Sequence, residues 1–134
     1  MHLGLEKLWT AAGVLSGLQL TGFSLRVNRE IAAGEDDLTW LPLADTLNLA
    51  SLAVTMLGVF VAPILGISGA ALALKAFGLS ALLLVGYPFA LAGHYDMFNR
   101  RTRRSWTYCP TQERIVLFIV AVAVVAYVVL ASIR

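Results

Sequence analysis

Apolar and polar residues are distributed along this chain in long blocks, with no alternation that would suggest strands. Residues 115–133 carry no charge at all, and Arg134 closes the chain behind them. The hydrocarbon core of a bilayer is about 30 Å thick, so a helix of roughly 20 mainly apolar residues crosses it. Ile115 to Ile133 meets that length. Pro110 suits a first helical position, where its missing N–H leaves nothing unpaired, and Gln112 and Glu113 fall in a first turn that favours negative charge. A crossing over about 110–133 follows.

From Leu43 to Gly93 the only charges are Asp45 and Lys75. As one helix this stretch would run about 76 Å at 1.5 Å per residue, far more than one crossing needs. Pro63, Gly66, Ser68 and Gly69 provide the break, being residues that end helices and make turns. Two crossings are therefore expected, about 43–65 and 69–92, with a short loop between and Pro88 placed to kink the second. The first block, about 8–25, is long enough to cross but carries Thr10, Ser16, Gln19, Thr21 and Ser24. The competing reading is a helix lying in the interface, against which stands the lack of Lys or Arg between Trp9 and Leu25. A short apolar run after Lys7 also has the look of a signal peptide.

The expected fold is all-α: an integral membrane protein, residues 1–134 forming one membrane domain, a bundle of four transmembrane helices with short loops. Composition agrees. The chain is 59% hydrophobic and 13% charged, with a mean hydropathy of +0.79. An average soluble domain carries about 25% charge. A soluble globule of this size could not cover so much apolar surface.

Charge sets the expected orientation. Residues 94–114 hold Arg100, Arg101, Arg103, Arg104 and Arg114, half of the ten basic residues, and the acidic stretch 26–42 adds Arg26 and Arg29. Basic residues are retained on the cytoplasmic side. With four crossings both loops share that side, and the termini face away from the cytoplasm, as in a multi-pass plasma (inner) membrane protein. If the first block does not cross, the N-terminus moves to the cytoplasmic side.

Several residues stand out for chemistry. Gly13 and Gly17, with Thr21 and Ser24 on the same face, would let a second helix approach closely, either within the bundle or from another copy. Gln19 and the face Asn48, Ser51, Thr55, Gly58 and Ala62 form a small polar interior, read as packing or as the lining of a path. Gln19 is the expected polar partner of that face. Asp45 and Lys75 are the charges nearest the membrane interior, and such groups are functional by default. Asp45 is expected to meet His94 or an arginine of the 94–114 loop. Lys75 can snorkel to the headgroups, with Glu6 as partner. The arginines Arg100, Arg101, Arg103 and Arg104 with Trp106 suit lipid headgroups or a docked partner better than nucleic acid.

No catalytic set, no metal site and no cofactor site is legible. His2 and His94 fall on opposite sides of the expected bilayer, and His94 with Asp96 is too short a pattern for a metal. Cys109 is the only cysteine and reads as a free thiol, near a helix start that can lower its pKa. Two function classes follow. One is a small non-catalytic membrane subunit or anchor, associating through its helices with itself or with other membrane subunits. The other is a small oligomeric channel or transporter with a polar path lined by the first two helices.

Overall fold

The computed structural model describes residues 4–33, 41–98 and 109–133. Four helices account for nearly all of them, and no strand occurs among the described residues. They are α1 (Leu5–Ala33), α2 (Leu43–Ile64), α3 (Ala70–His94) and α4 (Thr111–Ile133). The last three are long and apolar enough to cross a membrane. The 29-residue α1 has the length and is excluded by its composition alone.

Three helix ends fall within a residue or two of the expected breaks. α2 stops where Pro63 and Gly66 require it. Gly66 takes a left-handed φ of 71°, Ile67 N–H donates to the Ala62 carbonyl and Gly66 N–H to the Pro63 carbonyl. That is a Schellman closure, which uses up carbonyls a helix end leaves over. α3 ends the same way with Asp96 in the glycine position: φ is 52°, Asp96 N–H reaches the Gly93 carbonyl and Met97 N–H the Ala92 carbonyl. Asp is among the few residues that tolerate this conformation. α4 begins at Thr111, and the carbonyl of Pro110 accepts the N–H of Arg114 as its first helical bond.

α1 departs from expectation. Its helix does not stop near Leu25 but continues through Arg26 to Ala33. A turn toward polar residues marks where lipid could end; nothing in Phe23 to Ala33 breaks a helix, since the segment contains neither Gly nor Pro.

α2 is not a plain α-helix. Thr55–Val61 is π-helical, with Ala62 N–H donating five residues back to the Leu57 carbonyl. Pro63 follows directly.

The chain divides into two compact units, Met1–Leu41 with Leu52–Phe77, and Pro42–Ser51 with Gly78–Arg134. In the first, Leu8, Ala12, Val59 and Ala73 form a buried core with Trp9, Phe60 and Phe77 packed around it. The Trp9 indole N–H donates to the Val59 carbonyl at 2.8 Å.

In the second unit α3 presents glycines to its neighbours. A Cβ on Gly86 would fall 2.5 Å from Val120 Cγ2, and one on Gly78 would strike the Tyr127 hydroxyl. A Cβ on Gly93 would lie 2.8 Å from the Glu113 backbone nitrogen. Absent side chains on α3 thus let α4 approach along its length. Ser51 and Ser80 join α2 to α3: the Ser51 hydroxyl donates to the Ser80 carbonyl at 2.8 Å, and the two Oγ atoms are 2.9 Å apart.

Candidate functional site: a buried carboxylate joining three helix ends

Among the described residues of the second unit, Asp45, His94, Asp96, Cys109 and Glu113 lie where α2 begins, α3 ends and α4 begins. The sequence forces a gap there. Leu41, Pro42 and Leu43 lead into α2 without a Ser, Thr, Asp or Asn to cap its first N–H groups. The Pro42 carbonyl accepts the N–H of Asp45, and the N–H of Ala44 needs another acceptor. Glu113 supplies it from the first turn of α4. Its Oε1 accepts Ala44 N–H at 2.8 Å, and its Oε2 lies 2.8 Å from His94 Nδ1 at the end of α3.

The Glu113 side chain is fully buried, whereas 16% of the His94 side chain is exposed. Burial of a carboxyl is costly unless its oxygens are bonded, and here each oxygen has a partner. A carboxylate only accepts, so with Glu113 ionised the Nδ1 atom carries the shared proton. His94 is further fixed by an edge-on contact with Tyr95, ring centroids 5.3 Å apart. Gly93 makes the arrangement possible, since any side chain there would meet the backbone of Gln112 and Glu113. Beside Glu113, the Gln112 amide oxygen accepts Phe98 N–H at 3.0 Å and ties down the chain leaving α3.

Asp45 is fully buried at the start of α2, and Asp96 is buried just beyond α3. His94, one of the two partners expected for Asp45, bonds Glu113 instead. Cys109 is buried, and its pKa is raised, first by burial and then by the negative charge of Glu113, with Arg114 acting in the opposite direction. The cysteine is a free thiol, and burial is the largest influence on its ionisation. No group of three or more His, Cys, Asp or Glu among the described residues could hold a metal. The arrangement is a structural junction whose carboxylate closes a helix start and a helix end together.

The other singled-out residues sit as follows. Gln19, Asn48, Ser51 and Thr55 are buried, and Gly58 is half-buried with Ala76 so close that a Cβ would come within 2.6 Å of it. Lys75 is half-buried on α3, and Glu6 is exposed on α1. Gly13, Gly17, Thr21 and Ser24 are exposed, and a Cβ on either glycine would have nothing beyond its own helix within 4 Å. Among the described residues the two glycines therefore pack against no other helix. The α1 residues that are buried are Leu8, Ala12, Ser16 and Gln19, on another side of the helix. Arg100, Arg101, Arg103, Arg104 and Trp106 lie outside the described residues.

Sequence reasoning missed Glu113 as an inward group, His94 as its partner, Trp9 as a donor, and the glycines of α3. The glycine signal was available, since positions 78, 86 and 93 recur at spacings of eight and seven on one helical face. For Glu113 the uncapped Pro42 was the only hint. Compared with protein-family models, with curated proteins and with solved structures, the chain matches none.

Proposed function

We propose that the chain is a small non-catalytic integral membrane subunit or anchor, which associates through its helices with further copies of itself or with other membrane subunits. The observation that carries this reading is the exposure of α4. Only 6% of its most apolar stretch is buried inside the protein, against 22% for α2 and α3. Phe118, Ile119, Val125, Leu130 and Ile133 are all more than half exposed. Such a helix must be covered by lipid or by other helices.

In this reading α1 provides a fourth crossing and a face for association. Gly13 and Gly17 are open, and the Thr21 hydroxyl beside them donates to the Gly17 carbonyl of its own helix, so the face is smooth and this hydroxyl is satisfied. The protein is multi-pass, in a plasma (inner) membrane, with its termini away from the cytoplasm and the arginine-rich segment on anionic headgroups. The Ser51–Ser80 pairing supports packing over pore lining for the α2 face, because each hydroxyl is engaged by protein and not turned to water. The buried junction at Glu113 adds rigidity to the second unit and calls for no enzyme activity.

Purification in mild detergent, with mass measurement and identification of co-purifying chains, tests this. Stoichiometric foreign membrane chains or a defined homo-oligomer support the subunit reading. A monomer bound to nothing, or an oligomer that conducts ions after reconstitution, refutes it.

A further inference from the structure

In an α-helix the carbonyl of residue i accepts the N–H of residue i+4. For Val59 that residue is Pro63, which has no N–H. In the wider π pattern of Thr55–Val61 the donor comes from five residues on, and for Gly58 that residue is again Pro63. Whichever pattern α2 adopts, this proline leaves a carbonyl of the Gly58–Val59 pair without a helical donor. Such an orphan inside an apolar helix is met either by a donor from elsewhere in the protein or by a local shift of the helical pattern.

The donor is on α1. Trp9 Nε1 lies 2.8 Å from the Val59 carbonyl oxygen. Val59, Leu8, Ala12 and Ala73 are buried around the bond, and the Phe60 ring centroid is 6.5 Å from that of Trp9. Next to Val59, Gly58 has no side chain, and Ala76 of α3 comes so near that a Cβ on Gly58 would be 2.6 Å from its own. The π segment is therefore held by α3 through close packing and by α1 through a directional bond.

We propose that Pro63 and Trp9 form a clasp, in which docking of α1 fixes the hydrogen-bond pattern of α2. With the indole in place the Val59 carbonyl is satisfied, and the π pattern ends before the proline. With the indole withdrawn, the nearest backbone donor that can serve Val59 in a helix is Ile64 N–H, five residues on. The π pattern then advances through Pro63 toward the turn at Gly66, and the carbonyls that close this turn, Ala62 and Pro63, lose their present partners. α1 thereby controls the end of α2 and the turn leading to α3. A tryptophan that served only as an apolar ring would have no such reach.

The test is amide hydrogen exchange on the full chain in detergent, with four proteins: wild type, Trp9→Phe, Pro63→Ala and the double variant. Phenylalanine keeps an apolar ring and removes the donor. Trp9→Phe should quicken exchange of the amides at 64–67 by about tenfold, the scale of one net hydrogen bond. Pro63→Ala returns an N–H to the helix that can serve Val59 by itself. In the double variant exchange at 64–67 should return to within about threefold of wild type. In Pro63→Ala alone the Trp9 indole N–H should exchange faster, because the backbone N–H restored at position 63 competes for its acceptor. This readout holds even if Trp9→Phe fails to fold. The proposal is overturned if Trp9→Phe leaves 64–67 unchanged, if the double variant is as fast as Trp9→Phe, or if Pro63→Ala leaves the indole N–H as protected as before.

Discussion

Truncating Glu113 to Ala removes an acceptor from α2 and a partner from α3 in one step, and its magnitude can be worked from the contacts. Loss of the cap on Ala44 N–H costs about 1 kcal/mol. His94 Nδ1 loses its partner, about 1 kcal/mol for a side chain that water reaches in part. One methylene, Cγ, leaves a fully buried position at about 0.8 kcal/mol. The expected loss is therefore about 3 kcal/mol, a large share of a small protein's stability. Glu113→Gln separates geometry from charge. Its amide oxygen can still accept Ala44 N–H, and its NH2 can donate to Nδ1 if the imidazole adopts the other tautomer. A loss of about 1 kcal/mol is expected, the scale of one weakened hydrogen bond. Unfolding by SDS titration in a mild detergent, followed by tryptophan emission, measures both. Ala within about 0.5 kcal/mol of wild type, or Gln as harmful as Ala, would refute the three-helix junction.

Three further outcomes follow from the same contacts. The raised pKa of Cys109 means that its thiol ionises later in the folded than in the unfolded chain; the associated stability is present below the usual thiol range near about 8.5 and is lost as pH rises through the folded value. Cys109→Ala should flatten this alkaline limb, and Glu113→Gln, which removes the second cause of the shift, should quicken alkylation of Cys109 at about pH 8.5. Gly93→Ala should cost about 1–3 kcal/mol because its Cβ meets backbone of Gln112 and Glu113, whereas Gly78→Ala meets only the far end of the Tyr127 side chain and should cost less; equal losses in a thermal melt would argue against it. Gly13→Leu and Gly17→Leu should leave monomer stability within about 0.5 kcal/mol, having open space around them, and should lower the oligomeric mass or shed the co-purifying chain; an unchanged complex would remove α1 from the association.

The helices were legible because their determinants are local. Pro63 with Gly66, and Pro110 before Thr111, each act on the backbone within a turn, and helix ends followed them to within a residue or two. The end of α1 was not legible by the same route. Arg26 to Ala33 announces a change of solvent, and a change of solvent ends a membrane crossing without ending a helix. The inward turn of the α2 face was readable too: Asn48, Ser51 and Thr55 lie three and four apart, and polar groups in an apolar helix seek protein.

Glu113 shows where local reading stops. Taken with Pro110 and Gln112 alone, it is an acidic residue in a first helical turn, and the dipole explains its presence completely. The structure gives it a second reason that lies 69 positions away, in a helix whose start has no capping side chain of its own. A missing cap is visible in a sequence, but the residue that replaces it is identified only once the chain has folded. The same holds for Trp9. Pro63 declares that a carbonyl four or five residues earlier lacks its regular helical donor, and the donor that answers it here comes from α1. In a water-soluble helix the solvent would fill such a gap. In a helix apolar enough to cross a membrane the gap becomes a demand on the rest of the chain, and the two residues that answer these demands, Glu113 for Ala44 and Trp9 for Val59, are the ones that pin helices together. Proline positions without local caps are therefore the places in an apolar chain where long-range polar contacts should be sought first.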